Sequence, residues 1–206
     1  MTSMADLLDD LLQGGTLDQI SNRIGADPSQ TQLAIKQALP MLLGGLEREA
    51  ADPQGAQSLQ QALAEDHDGS ILDDLSGYLS GERQDKAADG AGILRHILGE
   101  RQETAAQALG QRSGLSGGNI MQLLAMLAPL VMGMLGKKSS GGGGGGFPDL
   151  GQILGQERAQ AQDKAPDMGD ILGQVFGQPA GSGSSSSSKS GGGMVDAITD
   201  IFGRKD

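Results

Sequence analysis

The chain has no cysteine and no tryptophan, one tyrosine and only three phenylalanines in 206 residues. Without cysteine there is no disulfide framework and no thiol chemistry, and zinc loses its commonest ligand. Without aromatics a core must be filled by Leu, Ile, Met and Ala. β-branched residues are also scarce, so strands find little support and helix packing is favoured. Basic residues are short as well: 15 Lys and Arg stand against 26 Asp and Glu, a net charge of −11. An acidic body repels phosphate backbones and anionic membrane surfaces, which excludes nucleic acid and disfavours membranes as partners. The N-terminal stretch carries Asp6, Asp9 and Asp10 where a signal peptide needs basic residues and then an apolar run. With the lack of cysteine, this points to the cytoplasm.

Glycine is what the chain has in excess, and it is unevenly spread. Residues 137–206 hold 17 of the 35 glycines and the run Ser184–Ser188. Most of the leucine and isoleucine lies before that. The expected organisation is an all-α, compact multi-helix bundle over 1–136 and a mostly disordered Gly/Ser-rich tail over 137–206.

Within the bundle two stretches share one pattern. Gly25, Pro40, Gly44 and Leu46 are matched, 89 residues on, by Gly114, Pro129, Gly133 and Leu135. Both stretches run from a polar turn into an almost wholly apolar helix, which reads as an internal duplication of two kinked helices. Ile120–Leu135 has a single polar side chain, Gln122, but is shorter than the about 20 residues of a membrane span. It reads as a core helix, and Met121, Met126, Met132 and Met134 as core. Gly44 and Gly133 cost about 1 kcal/mol each inside a helix; close approach between the two stretches or simple helix ends would account for them.

Start and stop signals place the other helices. Asp27–Pro28 and Asp52–Pro53 are caps followed by a first-turn proline, and Gly25 suits a left-handed C-cap. Asp66–Gly69 reads as a turn and Ser70 as the cap of a helix to about Leu79. Segment 81–92 is polar and reads as loose. Ile93–Leu98 and Glu100–Arg112 follow as helices, with His96 a partly buried structural histidine.

Little here resembles catalysis. There are two histidines and no serine in a nucleophile elbow, and the glycine run 141–146 lacks the Lys-Ser/Thr ending of a phosphate loop. The densest ligand set is Glu65, Asp66, His67, Asp68, Asp73 and Asp74. Its spacing does not match a calcium loop, so it reads as a solvated turn, with His67, Asp66 and Asp68 weak metal candidates. No cofactor is implied.

The tail carries a recurring cadence: 149–155 (DLGQILG), 167–173 (DMGDILG) and 196–203 (DAITDIFG). A segment of about seven residues cannot hold a helix in water alone. Each must dock on this protein, on a neighbouring copy or on another protein, or stay disordered. Leu150, Ile153, Leu154, Ile171, Leu172, Ile201 and Phe202 are the candidate docking side chains.

Several of these residues carry a family resemblance. Residues 66–75 (DHDGSILDDL), 92–99 (GILRHILG), 127–133 (LAPLVMG) and 38–46 (ALPMLLGGL) resemble the YidB-like bacterial family, a domain of unknown function. The match covers about residues 4–136. It implies a compact all-helical domain and no activity. The expected function is a non-enzymatic helical interaction or scaffolding module, with a protein partner or self-association. Metal or small-molecule binding at 65–74 and peripheral membrane association stay open as alternatives.

Overall fold

The computed structural model describes residues 3–13, 15–82, 89–140, 150–165 and 168–177. The described residues form helices and no strand. Eleven α-helices are described: α1 (Met4–Leu11), α2 (Thr16–Ile24), α3 (Pro28–Ala51), α4 (Pro53–Glu65), α5 (Ser70–Asp73), α6 (Leu75–Ser80), α7 (Gly90–Leu98), α8 (Gln102–Ser113), α9 (Gly117–Ser140), α10 (Leu150–Lys164) and α11 (Met168–Phe176).

α3 and α9 touch each other, and most of the remaining helices pack on one or both. Their sequences explain why they are central. A helix that is apolar on one stripe can lie on a surface, whereas one that is apolar all round must be enclosed. In α3 the consecutive residues Ala38, Leu39, Pro40, Met41, Leu42 and Leu43 are all buried. In α9 every residue from Met126 to Gly136 is buried. α9 is long and apolar enough to cross a membrane, with mean hydropathy 1.6 over its best stretch, yet 72% of that stretch is buried inside the protein.

The two helices begin alike. Gly25 ends α2 at φ 66° and Gly114 ends α8 at φ 77°, both left-handed, a conformation glycine adopts without a Cβ penalty. Asp27 Oδ1 accepts from the backbone N–H groups of Ser29 (2.8 Å) and Gln30 (3.4 Å). Ser116 Oγ accepts from Asn119 N–H (3.1 Å) at the start of α9. Both helices are 24 residues long with a proline at the thirteenth position.

Proline has no N–H, so Pro129 leaves the Ala125 carbonyl without its usual partner one turn back. The phenol of Tyr78 fills this gap. It donates to the Met126 carbonyl at 2.9 Å and approaches the Ala125 carbonyl at 3.4 Å. Burial pushes its pKa up, which keeps the proton available. Gly90 lies against the same carbonyl: a Cβ there would lie 1.6 Å from Ala125 O.

The helical glycines do not face one another, contrary to the expectation that the two long helices approach at Gly44 and Gly133, and neither marks a helix end. A Cβ on Gly44 would meet Arg158, Leu172 and Phe176 of α10 and α11; one on Gly45 would lie 2.3 Å from Ile97 Cγ2 of α7. Gly133 faces Ile71 of α5, at 2.6 Å, and Gly136 faces the His67 carbonyl, at 1.8 Å. Glycine in these helices makes room for the short helices laid across them.

The tail differs most from the sequence reading. α9 continues to Ser140, past 136. The segment expected at 149–155 opens a 15-residue helix, α10, that lies along α3; α11 packs on α3 and α8. Leu150, Leu154, Ile171 and Leu172 are buried and Ile153 partly buried. Beyond this apolar contact, α10 carries a buried carboxylate, Glu157. Its Oε2 accepts the Met4 N–H at the start of α1 at 2.6 Å, and its Oε1 pairs with Lys138 of α9. Lys164 at the far end of α10 binds Asp6 (2.5 Å) and Asp9 (3.2 Å) of α1, and Arg158 pairs with Glu47 of α3 (2.6 Å). Ile201 and Phe202 lie outside the described residues.

Candidate functional site

Two elbows create the cleft that Asp66 and His67 line. At the first, Asp52 ends α3 and caps α4, its Oδ1 accepting from Gln54 N–H (2.9 Å) and Gly55 N–H (3.0 Å). Gly55 allows the tight fold-back, since a Cβ there would sit 2.2 Å from the Glu49 carbonyl. At the second, Asp89 caps α7 through Gly92 N–H (2.9 Å), and Gly90 presses onto α9. α4 and α7 thus stand as two walls over α3 and α9.

The hollow between them has a volume of about 400 Å³. Its floor is apolar: Leu46 and Met132 from the long helices, Leu59 from α4 and Ile97 from α7. Its rim is polar and mostly acidic, carrying Glu49, Asp66, Asp89, Ser58 and His96. A concave apolar floor with a few convergent polar groups is the usual form of a binding site, and this volume is in the ordinary range for one.

The sequence-derived candidates are only partly brought together. Asp66 and His67 line this cleft, and so does His96, 29 positions further on. His96 is exposed rather than partly buried, whereas His67 is buried. Asp68 is exposed and works locally: its Oδ1 accepts the Ser70 N–H at 2.9 Å, and Ser70 is the first residue of α5 rather than its cap, a position that Gly69 holds. Asp74 accepts the Gly77 N–H (3.1 Å) and caps α6, which divides the single helix expected from 70 to 79. Asp73 pairs with Lys137 at 3.1 Å on the surface. Asp68 and Asp74 are therefore engaged at helix starts and Asp73 in an ion pair. Among the described residues no three His, Asp or Glu side chains are grouped so as to hold a metal ion.

What sequence reasoning missed is the partnership of α4 and α7, set by Gly55, Gly90 and Gly45. Three glycines at close contacts were the available signal, but a glycine does not announce what it touches.

Two further hollows lie elsewhere on the described surface. One, between α1, α5 and α9, is lined by Leu7, Leu11, Leu72 and Met134 with Asp10, Lys137 and Lys138. The other lies between α1, α3 and α10 beside Lys36, Asp9 and Lys164.

Comparison with known proteins adds one match. A family model described as a bacterial protein of unknown function (DUF937) matches residues 6–138. No curated protein and no solved structure matches the chain.

Proposed function

From a chain that belongs to this family of bacterial proteins of unknown function, we propose a non-enzymatic helical interaction module, a body that seats short amphipathic helices in grooves between its own. The observation that carries this reading is the seating of α10 and α11, two segments of one cadence that follow a glycine-rich stretch and lie in grooves along α3. α11 shows the recognition in its simplest form. Met168, Ile171, Leu172 and Val175 are buried, an i, i+3, i+4, i+7 set on one face. This is the anchor pattern of helix-in-groove recognition.

Energetics favour exchange over permanent fixture. Burying four such side chains is worth about 6–12 kcal/mol gross. Ordering nine backbone residues costs about 9–18 kcal/mol, at about 1–2 kcal/mol each, so these anchors alone leave no surplus. A helix held by so narrow a margin can be replaced by another of the same pattern, from a second copy or from a different protein.

The test uses the full chain with Ile171→Asp and Leu172→Asp, which empties the α11 groove. A synthetic peptide of residues 166–179 should bind saturably, read by fluorescence anisotropy. The same peptide carrying both aspartates should not. No binding at about 1 mM, the effective concentration that a short tether supplies, would sink the reading.

A further inference from the structure

The cleft between α4 and α7 is left open by α10 and α11, and the same cadence occurs once more in the chain. Aligned on that cadence, Asp170, Ile171, Leu172 and Gly173 correspond to Asp200, Ile201, Phe202 and Gly203, with Ile198 in the place of Met168. At helical spacing Ile198, Ile201 and Phe202 share one face and Asp196 and Asp200 the opposite one. Arg204 and Lys205 follow the apolar turn.

We propose that this cleft is the seat of the chain's own segment 194–206, with Ile198, Ile201 and Phe202 on the apolar floor and Arg204 and Lys205 at the acidic rim. The assignment rests on the helix-seating reading above and names a third occupant for it.

Three observations select this seat. The first is charge. Glu49, Asp66 and Asp89 border the cleft without any Lys or Arg, whereas lysines line both other hollows. The first offers Arg204 and Lys205 carboxylates alone, whereas each of the others sets two lysines beside one aspartate. The second is the exit of the chain. The carbonyl of Phe176, the last residue of α11, accepts from Arg48 Nη1 at 3.2 Å, and the next residue of α3, Glu49, stands on the cleft rim. The third is reach. Seventeen residues, 177–193, separate that exit from Met194, most of them Gly and Ser. A chain of that composition spans about 20–24 Å on average, enough to pass around one helix and too short to dilute the tethered segment much.

A nitroxide on Asp206→Cys tests the placement, because the chain has no other cysteine. In the full chain the label should broaden amides of residues 58–66 and 92–97 with loss of most of their signal. Amides of 7–11, by the lysine-lined hollow, should be spared. Phe202→Asp should abolish the effect while the rest of the spectrum stays folded. Glu49→Lys with Asp89→Lys should weaken it, and Arg204→Glu with Lys205→Glu should restore it in that background. Broadening at 7–11 instead, or evenly over the surface, overturns the assignment. Broadening of an unlabelled, isotope-enriched copy mixed with labelled chain overturns it in favour of a second copy. If the label leaves the cleft untouched while the 166–179 peptide still binds its groove, this assignment falls and the helix-seating reading stands.

Discussion

Replacing Tyr78 by Phe removes one oxygen and leaves the ring in place. The cost follows from what that oxygen does. It is the donor at 2.9 Å to the carbonyl of buried Met126, beside the carbonyl of half-buried Ala125 that Pro129 cannot serve. A buried acceptor left without a partner costs about 1–3 kcal/mol. For a chain of this size each kcal/mol moves the melting temperature by about 2–4 °C, so Tyr78→Phe should lower it by about 2–12 °C. Cavity formation adds little, since the ring stays. The decisive control is Pro129→Ala, which gives position 129 an N–H able to serve Ala125. If Tyr78 compensates for the proline, removing its hydroxyl should cost at least about 0.5 kcal/mol less in the alanine background, a coupling that a double-mutant cycle reads. Equal losses in both backgrounds, or a Tyr78→Phe variant within about 0.5 kcal/mol of the parent, would refute the reasoning.

Other consequences can be measured alongside. Glu157→Gln keeps an acceptor for Met4 N–H but strands Lys138, and should destabilise by about 1–3 kcal/mol in urea with an unchanged slope. Gly44→Ala meets only side-chain ends at 3.4–3.5 Å and should stabilise by up to about 1 kcal/mol, whereas Gly45→Ala, 2.3 Å from Ile97 Cγ2, should destabilise by about 1–3 kcal/mol in the same thermal melts. The α1–α10 latch should show a pH window. Lys164 holds the Asp6 carboxyl below its ordinary range, so its contribution is present above about pH 4 and fades as pH falls through the folded-state value. Asp6 and Asp9 in turn raise Lys164, whose contribution is present below about pH 10 and is lost as pH rises through its folded value. Protection of α1 amides, taken relative to their intrinsic exchange rate at each pH, should therefore be greatest between those limits, and Lys164→Met should flatten the profile.

The long helices were legible because their signals are local. Asp27–Pro28, Gly25 and an unbroken apolar run each act within a few residues, and α3 starts where they place it. α10 was underestimated for the opposite reason. Residues 156–164 look too polar for a buried helix, but Glu157, Arg158 and Lys164 are held by Met4, Lys138, Glu47 and Asp6, partners far away in the chain. The cleft depended on distant contacts too. Nothing near His67 in sequence says that His96 will stand at the same hollow, because Gly55 sets α4 against α3 while Gly90 and Gly45 set α7 against α9 and α3. The acidic turn was readable as capping chemistry, but which aspartate caps which helix was settled by the break at Asp74.

The hydrogen bond from Met4 to Glu157 also has a consequence in time. Its partners are 153 residues apart, and a ribosome adding about 5–20 residues per second needs roughly 8–30 s to cover that interval. Through those seconds α1 lacks the Glu157 acceptor for its Met4 amide and the Lys164 cation for Asp6. α1 is thus locked only after α10 has been made, and a nascent chain halted before residue 157 would expose Met4 and Leu8 to whatever binds unfinished proteins.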